Sequence, residues 1–279
     1  MSPDGAAPLK EDWSLMVAAV REAGALASQA YRGTFRSWEK RPGDPVTEVD
    51  HAVNDRLFEI LSDARPDYGW ISEETPASDW RPDGPRSWFV DPIDGTRALV
   101  RGEPFFTVSV GLVEGGQPVA GAILNPATGE LCEGYRGAGV RWNGVAARVS
   151  DRDEIAGSRI AGFVRELPRT LREGPLRDAR LERFNSVAYR LALVAAGRME
   201  ATLSASAKSC WDLAAGQFLV EEAGGRATTL TGPLPDYRTP FRAPSLLAAN
   251  PRLHARLSAA WQAPQGPLAG HKPAANSDT

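Results

Sequence analysis

Cysteine is scarce: the chain holds two, Cys132 and Cys210, too few for a disulfide framework, so reduced thiols in a cytoplasmic setting are expected. Three histidines, His51, His254 and His271, leave little material for a histidine-rich zinc site. Neither sign of charge dominates. With 32 Lys plus Arg against 35 Asp plus Glu and a formal charge of −3, no broad basic face for a nucleic-acid polymer is expected. No apolar run approaches the ~20 residues of a membrane span, and the amino end lacks the basic and apolar regions of a signal peptide. No internal repeat is visible. What is left, 279 residues at 42% hydrophobic and 24% charged, is the profile of a soluble globular protein with one large domain or two small ones.

The stretch that organises the rest is Trp88-Phe89-Val90-Asp91-Pro92-Ile93-Asp94-Gly95-Thr96. Residues 87–90 have the aromatic and β-branched content of a buried strand, so Asp91 stands at the end of a rigid element. Pro92 biases Asp91 toward an extended backbone, and Gly95 permits geometry that a Cβ would forbid. Two carboxylates held this close repel unless a cation lies between them, and hard divalent ions prefer all-oxygen ligands. Thr96 then opens Ala98-Leu99-Val100, a candidate helical turn facing an anion. An isolated Asp-Gly-Thr is ordinarily a turn without chemistry. The company it keeps argues otherwise. Upstream lie Trp70-Ile71-Ser72-Glu73-Glu74 and Asp44-Pro45-Val46-Thr47-Glu48-Val49-Asp50; downstream lie Cys210-Trp211-Asp212-Leu213-Ala214-Ala215-Gly216 and Glu221-Glu222-Ala223-Gly224-Gly225.

In this order and spacing the segments resemble the inositol monophosphatase superfamily of Mg²⁺-dependent, lithium-sensitive phosphatases, over about residues 13–225. The resemblance implies that Glu73, Asp91, Asp94 and Asp212 bind metal through carboxylates and Ile93 through its carbonyl, with two or three Mg²⁺ per site. It makes Thr96 and Asp50 the pair that activates the attacking water, with the Gly95 and Thr96 amides on the phosphate. It also implies a small phosphorylated metabolite as partner and a homodimer as the assembly. Two departures from the inositol pattern point toward 3′(2′),5′-bisphosphate nucleotidases. Arg97-Ala98-Leu99 follows Asp-Gly-Thr where Thr-Asn-Phe is usual, and no acid stands between Glu200 and Asp212 to meet a sugar ring. Arg97, Ser186 and Lys208 are the candidate substrate-binding residues, with the arginine-rich segment 165–183 as a further source of cations. Inositol-1-monophosphatase and then histidinol-phosphate phosphatase are the alternatives, and a regulatory or binding protein on the same fold is the alternative of another class.

Taken in order, residues 1–10 read as a disordered leader and 12–32 as an amphipathic helix burying Met16, Val17 and Val20. Residues 33–45 are polar and broken by Pro42 and Gly43. Thr47 and Asp50 have capping-box spacing ahead of a helix burying Val53, Leu57, Ile60 and Leu61, and a cap alone would explain both. A strand at 105–113 opens an antiparallel meander that runs to Asn143-Gly144. The candidate boundary at Ser150-Asp151-Arg152-Asp153 divides an 11–150 half from a 151–262 half. In the second, 158–163 is a strand, the interleaved Arg and Glu of 165–183 read as a solvated helix face, 185–197 is a helix, 199–203 a strand, and Asp212 opens a long helix. Asp212 at a helix start also has a capping role open to it. Residues 263–279 read as a disordered tail. The pattern alone gives α+β, and the resemblance narrows it to a layered α-β-α-β-α sandwich of the inositol monophosphatase and fructose-1,6-bisphosphatase type.

Overall fold

The computed structural model describes residues 6–81 and 85–262. From the amino end come α1 (Ala6–Tyr31), the hairpin β1 (Ser37–Arg41) and β2 (Asp44–Thr47), α2 (Glu48–Ala64), β3 (Gly69–Ser72), β4 (Arg86–Asp94) and the short α3 (Thr96–Val100). The meander follows as β5 (Thr107–Glu114), β6 (Gln117–Asn125), β7 (Glu130–Tyr135), β8 (Val140–Trp142) and β9 (Val145–Ala147). Then come β10 (Arg159–Ala161), α4 (Arg169–Glu173), β11 (Arg180–Glu182), α5 (Val187–Ala195), β12 (Ala201–Ser204), β13 (Lys208–Ser209) and α6 (Cys210–Glu222). The chain closes with β14 (Arg226–Thr228), β15 (Arg242–Ala243), β16 (Leu246–Ala249) and α7 (Pro251–Gln262).

Strands β3 to β9 form a seven-stranded sheet in sequence order, parallel only between β3 and β4. Alternation along β4 sends Trp88 and Val90 to one face, where they pack with Met16 and Val20 of α1 and Val53 and Leu57 of α2. Phe89 goes to the other face, against Leu191 of α5 and Leu213, Ala214 and Phe218 of α6. Asp91 shares the parity of Phe89, so it too points at α5 and α6. A five-stranded sheet, β11-β10-β12-β16-β14, lies beyond those two helices and contributes Ala161 and Ala248 to the same apolar cluster. Its outer face carries Ile160, Leu203 and Leu247 against Leu253 and Leu257 of α7. The order is α-β-α-β-α.

Close approach between α6 and the first sheet depends on two glycines. A Cβ on Gly111 would lie 2.7 Å from the Ala215 nitrogen, and one on Gly121 would lie 2.7 Å from the Ala215 oxygen. With no side chain between them, the helix rests directly on the strands, which fixes how far its first turn stands from the end of β4.

Several sequence expectations change. The first helix starts at Ala6, with Leu9 buried, so residues 6–10 are helical rather than a leader. Residues 33–45, read as polar and broken, hold most of the β1–β2 hairpin, whose outer strand is exposed throughout. The arginine-rich segment is a one-turn α4 and an edge strand β11 parallel to β10, not one helix face. The tail call on 263–279 and the first five residues of the leader lie outside the described residues. No helix among the described residues is long and apolar enough to cross a membrane.

Candidate active site

Parallel pairing of β3 with β4, in the register Ser72 to Val90, carries Glu73 to the side of Asp91, and the Glu73 N–H donates to the Val90 carbonyl at 3.2 Å. The first turn of α6 brings Asp212 across from the other half. One carboxylate oxygen from each of Glu73, Asp91 and Asp212 lies within 4.8 Å of the others. Burial and then the neighbouring carboxylates Glu73, Asp94 and Asp212 push the Asp91 carboxyl well above its ordinary range. Burial, followed by Asp94 and Glu73, pushes Asp212 up to about 8. Asp91 is 2% exposed, and its Oδ1 is buried without a hydrogen-bond partner among the described residues. Three converging acids, one of them with an orphaned buried oxygen, are what a hard cation satisfies, and an all-oxygen donor set suits Mg²⁺.

Asp94 stands slightly apart. Its Oδ2 accepts from Ser186 Oγ at 2.7 Å and from the Ala188 N–H, so the carboxylate is tied to the start of α5. Its sequence-expected neighbour, the Ile93 carbonyl oxygen, lies 3.0 Å from Thr96 Oγ1. Pro92 has no N–H for the ladder, and the β4–β5 register shifts between Asp91 and Asp94, turning this segment into the cleft. Gly95 follows with φ +92°; a Cβ there would lie 2.9 Å from the Phe105 carbonyl oxygen.

Asp50 makes contacts on both the cap side and the cleft side. Its Oδ2 accepts from the Thr47 N–H at 2.9 Å and from Thr47 Oγ1 at 2.5 Å, completing the capping box of α2. Its Oδ1 accepts from Thr96 Oγ1 at 2.9 Å, on the cleft side. Burial raises the proton affinity of Asp50, opposed by the bonds from Thr47 and Thr96. Asp212 behaves in the same way, accepting from the Ser209 N–H at 2.8 Å as a cap of α6 while joining the acid trio.

A family model described as the inositol monophosphatase family matches residues 9–265. The chain belongs to the inositol monophosphatase family. It is 37% identical over 230 residues to an inositol-1-monophosphatase of Mesorhizobium japonicum, spanning 78% of this chain and 85% of that protein. The solved structure of extragenic suppressor protein suhB from Bartonella henselae superposes with a TM-score of 0.81 at 31% identity, covering 90% of this chain and 98% of that one. A structure described as 2′AMP bound SaIMPase-II superposes at 0.75 with 25% identity, covering 88% and 91%. As an inositol monophosphatase family protein, the chain is a phosphomonoester hydrolase, and the family is generally metal-dependent.

In this family member the acids share a cleft of about 340 Å³ with Asp44, Thr96, Arg97, Phe163, Glu166, Arg190 and Lys208. Arg97 reaches its rim, and its Nε donates to the Gly43 carbonyl at 3.0 Å, which braces the β1–β2 hairpin. Glu103, a possible partner for it, accepts from Asn185 instead. Ser186, expected among the substrate-binding residues, is fully buried, and its hydroxyl donates to Asp94 while accepting from the Tyr189 N–H. Lys208 lines the cleft as expected and donates to Ser206 at 2.6 Å. Two residues escaped the sequence reading. Lys40 of β1 lies 3.2 Å from Glu73 and 2.5 Å from Glu74, holding the hairpin at the cleft mouth. Arg190 is fully buried within α5, all nine residues of which are buried; a lone arginine in an otherwise apolar helix was the available signal.

Proposed function

We propose that this enzyme hydrolyses a doubly phosphorylated small metabolite, foremost a nucleoside 3′(2′),5′-bisphosphate, with Mg²⁺ held by Glu73, Asp91, Asp94, Asp212 and the Ile93 carbonyl. The observation that carries the phosphatase reading is the convergence of Glu73, Asp91 and Asp212, with Asp91 Oδ1 left partnerless, in the cleft that Thr96 also lines. When bound, Mg²⁺ supplies positive charge to the phosphate oxygens and to the departing oxygen of an in-line displacement. The chain's own groups handle the proton. Because Thr96 Oγ1 gives its hydrogen to Asp50, its lone pairs are free to take one from a water in the cleft. As the water oxygen bonds phosphorus and the ester P–O bond breaks, that proton moves to Thr96 and the threonine proton moves to Asp50, whose buried carboxylate favours it. No cysteine or histidine is required.

Support for a second phosphate comes from the cations that line the cleft, Lys208 and Arg190, and from the lack of any acid between Glu200 and Asp212. The relative described as binding 2′AMP indicates that a nucleotide 2′-phosphate fits a site of this kind. Inositol 1-phosphate is the alternative substrate, followed by histidinol phosphate. Lithium inhibition, a homodimer and a cytoplasmic location belong to the same reading. The relative called suhB raises a regulatory role as a second reading; the complete set of metal acids favours catalysis. The test is a panel of adenosine 3′,5′-bisphosphate, inositol 1-phosphate and histidinol phosphate with Mg²⁺, with and without Li⁺. Highest kcat/KM on the bisphosphate supports the proposal, whereas highest kcat/KM on inositol 1-phosphate replaces it with inositol-1-monophosphatase.

A further inference from the structure

Arg190 is a buried cation whose terminal nitrogens have no hydrogen-bond partner among the described residues. It is fully buried, and its one hydrogen bond runs from Nε to the Ser186 carbonyl at 3.3 Å. Both terminal nitrogens, Nη1 and Nη2, are buried without a partner among the described residues. Holding a guanidinium in this state costs several kcal/mol unless something pairs with it. The three acids whose charge reaches it across space, Asp94, Glu166 and Asp212, are all committed elsewhere. Asp94 is bound by Ser186 and Ala188, Asp212 belongs to the acid trio, and Glu166 accepts from Ser204 and Ser206 at 2.9 Å each.

Its geometry suits a ligand. Arg190 lies 5.7 Å from the centre of the Phe163 ring and lines the same cleft as the metal acids. A guanidinium plane with two open nitrogens matches a phosphate bidentately, which an ammonium cannot do. Lys208, its cationic neighbour, already donates to Ser206, which in turn donates to Glu166. Arg97, at the rim of the cleft, is bonded to the Gly43 carbonyl. A purely structural role, offsetting the charge of the acids, would place the fork in hydrogen-bond contact with them. It makes no such contact.

We infer that Arg190 binds a second anionic group on the substrate, and that it, rather than Arg97, sets the preference for doubly phosphorylated esters. This rests on the phosphatase reading above and adds the residue that selects among phosphate esters. Nucleoside and sugar bisphosphates share the required chemistry, so the comparison is made within pairs that differ by one phosphate. The pairs are adenosine 3′,5′-bisphosphate against adenosine 3′-phosphate and fructose 1,6-bisphosphate against fructose 1-phosphate, with the full-length enzyme and Mg²⁺.

Wild type is expected to favour one bisphosphate over its monophosphate by about ten- to a hundredfold in kcat/KM, the scale of one charge-assisted contact. Arg190→Met, which keeps length and apolar packing, is expected to collapse that ratio toward one, chiefly through KM. Arg97→Ala is expected to leave the ratio in place. A wild-type ratio near one, or a ratio untouched by Arg190→Met, overturns the inference. Should Arg190→Met fail to fold, Arg190→Lys decides: a ratio lowered at least about threefold, as expected when a two-pronged donor is lost, supports it, and an unchanged ratio overturns it. Failure of the phosphatase reading looks different, because wild type would then release phosphate from none of the four esters.

Discussion

Thr96 Oγ1 donates to Asp50 Oδ1 at 2.9 Å across 46 residues of chain, while the other oxygen of the same carboxylate caps the helix on which Asp50 sits. One side chain thereby fixes the start of α2 and reaches the reacting water's neighbour. This dual use separates two effects of a single substitution. Asp50→Asn keeps an oxygen for the cap and loses the proton acceptor, so it is expected to cost ~1 kcal/mol or less in stability. Activity is expected to fall by about 10²- to 10⁴-fold, the range for a removed general base. Thermal melting and kcat measured on one preparation check it.

Asp91→Asn removes the central ligand of the trio. It is expected to abolish at least ~10³-fold of the Mg²⁺-dependent rate. The same change relieves repulsion among carboxylates that burial and proximity hold at raised pKa. In EDTA at about pH 8 the variant is therefore expected to melt at a higher temperature than wild type, and in saturating Mg²⁺ at a lower one. Melting curves in both conditions read the two signs.

The metal-free protein should lose stability as pH rises. Asp91, Asp94, Glu73 and Asp212 all have folded pKa values raised, in each case first by burial. Carboxyls in the unfolded chain titrate near 4, so above that pH the folded state holds protons that the unfolded state has released. Stability is thus fullest below about pH 4 and declines until Asp212, with its pKa of about 8, has ionised. Melting temperature in EDTA is expected to fall between about pH 5 and 8. Mg²⁺, which needs the ionised acids, is expected to raise it more at pH 8 than at pH 5. A flat profile in EDTA would count against mutual repulsion in the trio.

Gly111→Ala tests how the two halves are registered. The added methyl would lie 2.7 Å from the Ala215 nitrogen and 2.8 Å from the Ala214 Cβ, forcing α6 off the sheet. The expected cost is ~1–3 kcal/mol. Because α6 carries Asp212, the Mg²⁺ concentration for half-maximal activity is expected to rise several-fold as well. Melting and a Mg²⁺ titration distinguish this from a merely destabilised protein with normal metal affinity.

What could be read from the chain beforehand follows from the range of each signal. The meander was legible because alternation and turn residues such as Asn143-Gly144 are local, and the Thr47 cap because its partner is three residues away. The acid-bearing segments were legible through motif order, although only the fold shows which carboxylates converge and that Asp94 accepts from Ser186. The β1–β2 hairpin was missed because its outer strand buries nothing and so carries no alternation. Arg97 stands beside the motif in sequence, but its bond to Gly43, 54 residues away, is a long-range contact that no local pattern announces. Arg190 was passed over because Val187, Leu191 and Val194 made a convincing one-sided helix, whereas α5 is enclosed on all sides.

The central claim is that Glu73, Asp91 and Asp212 together hold a divalent ion. Anomalous diffraction from crystals grown with Mn²⁺, which takes the same oxygen ligands as Mg²⁺, reads this directly. The account predicts a strong anomalous peak among the three carboxylates in wild type, lost or much weakened in Asp91→Asn. An empty trio at saturating Mn²⁺, or a peak that survives Asp91→Asn undiminished, would contradict it.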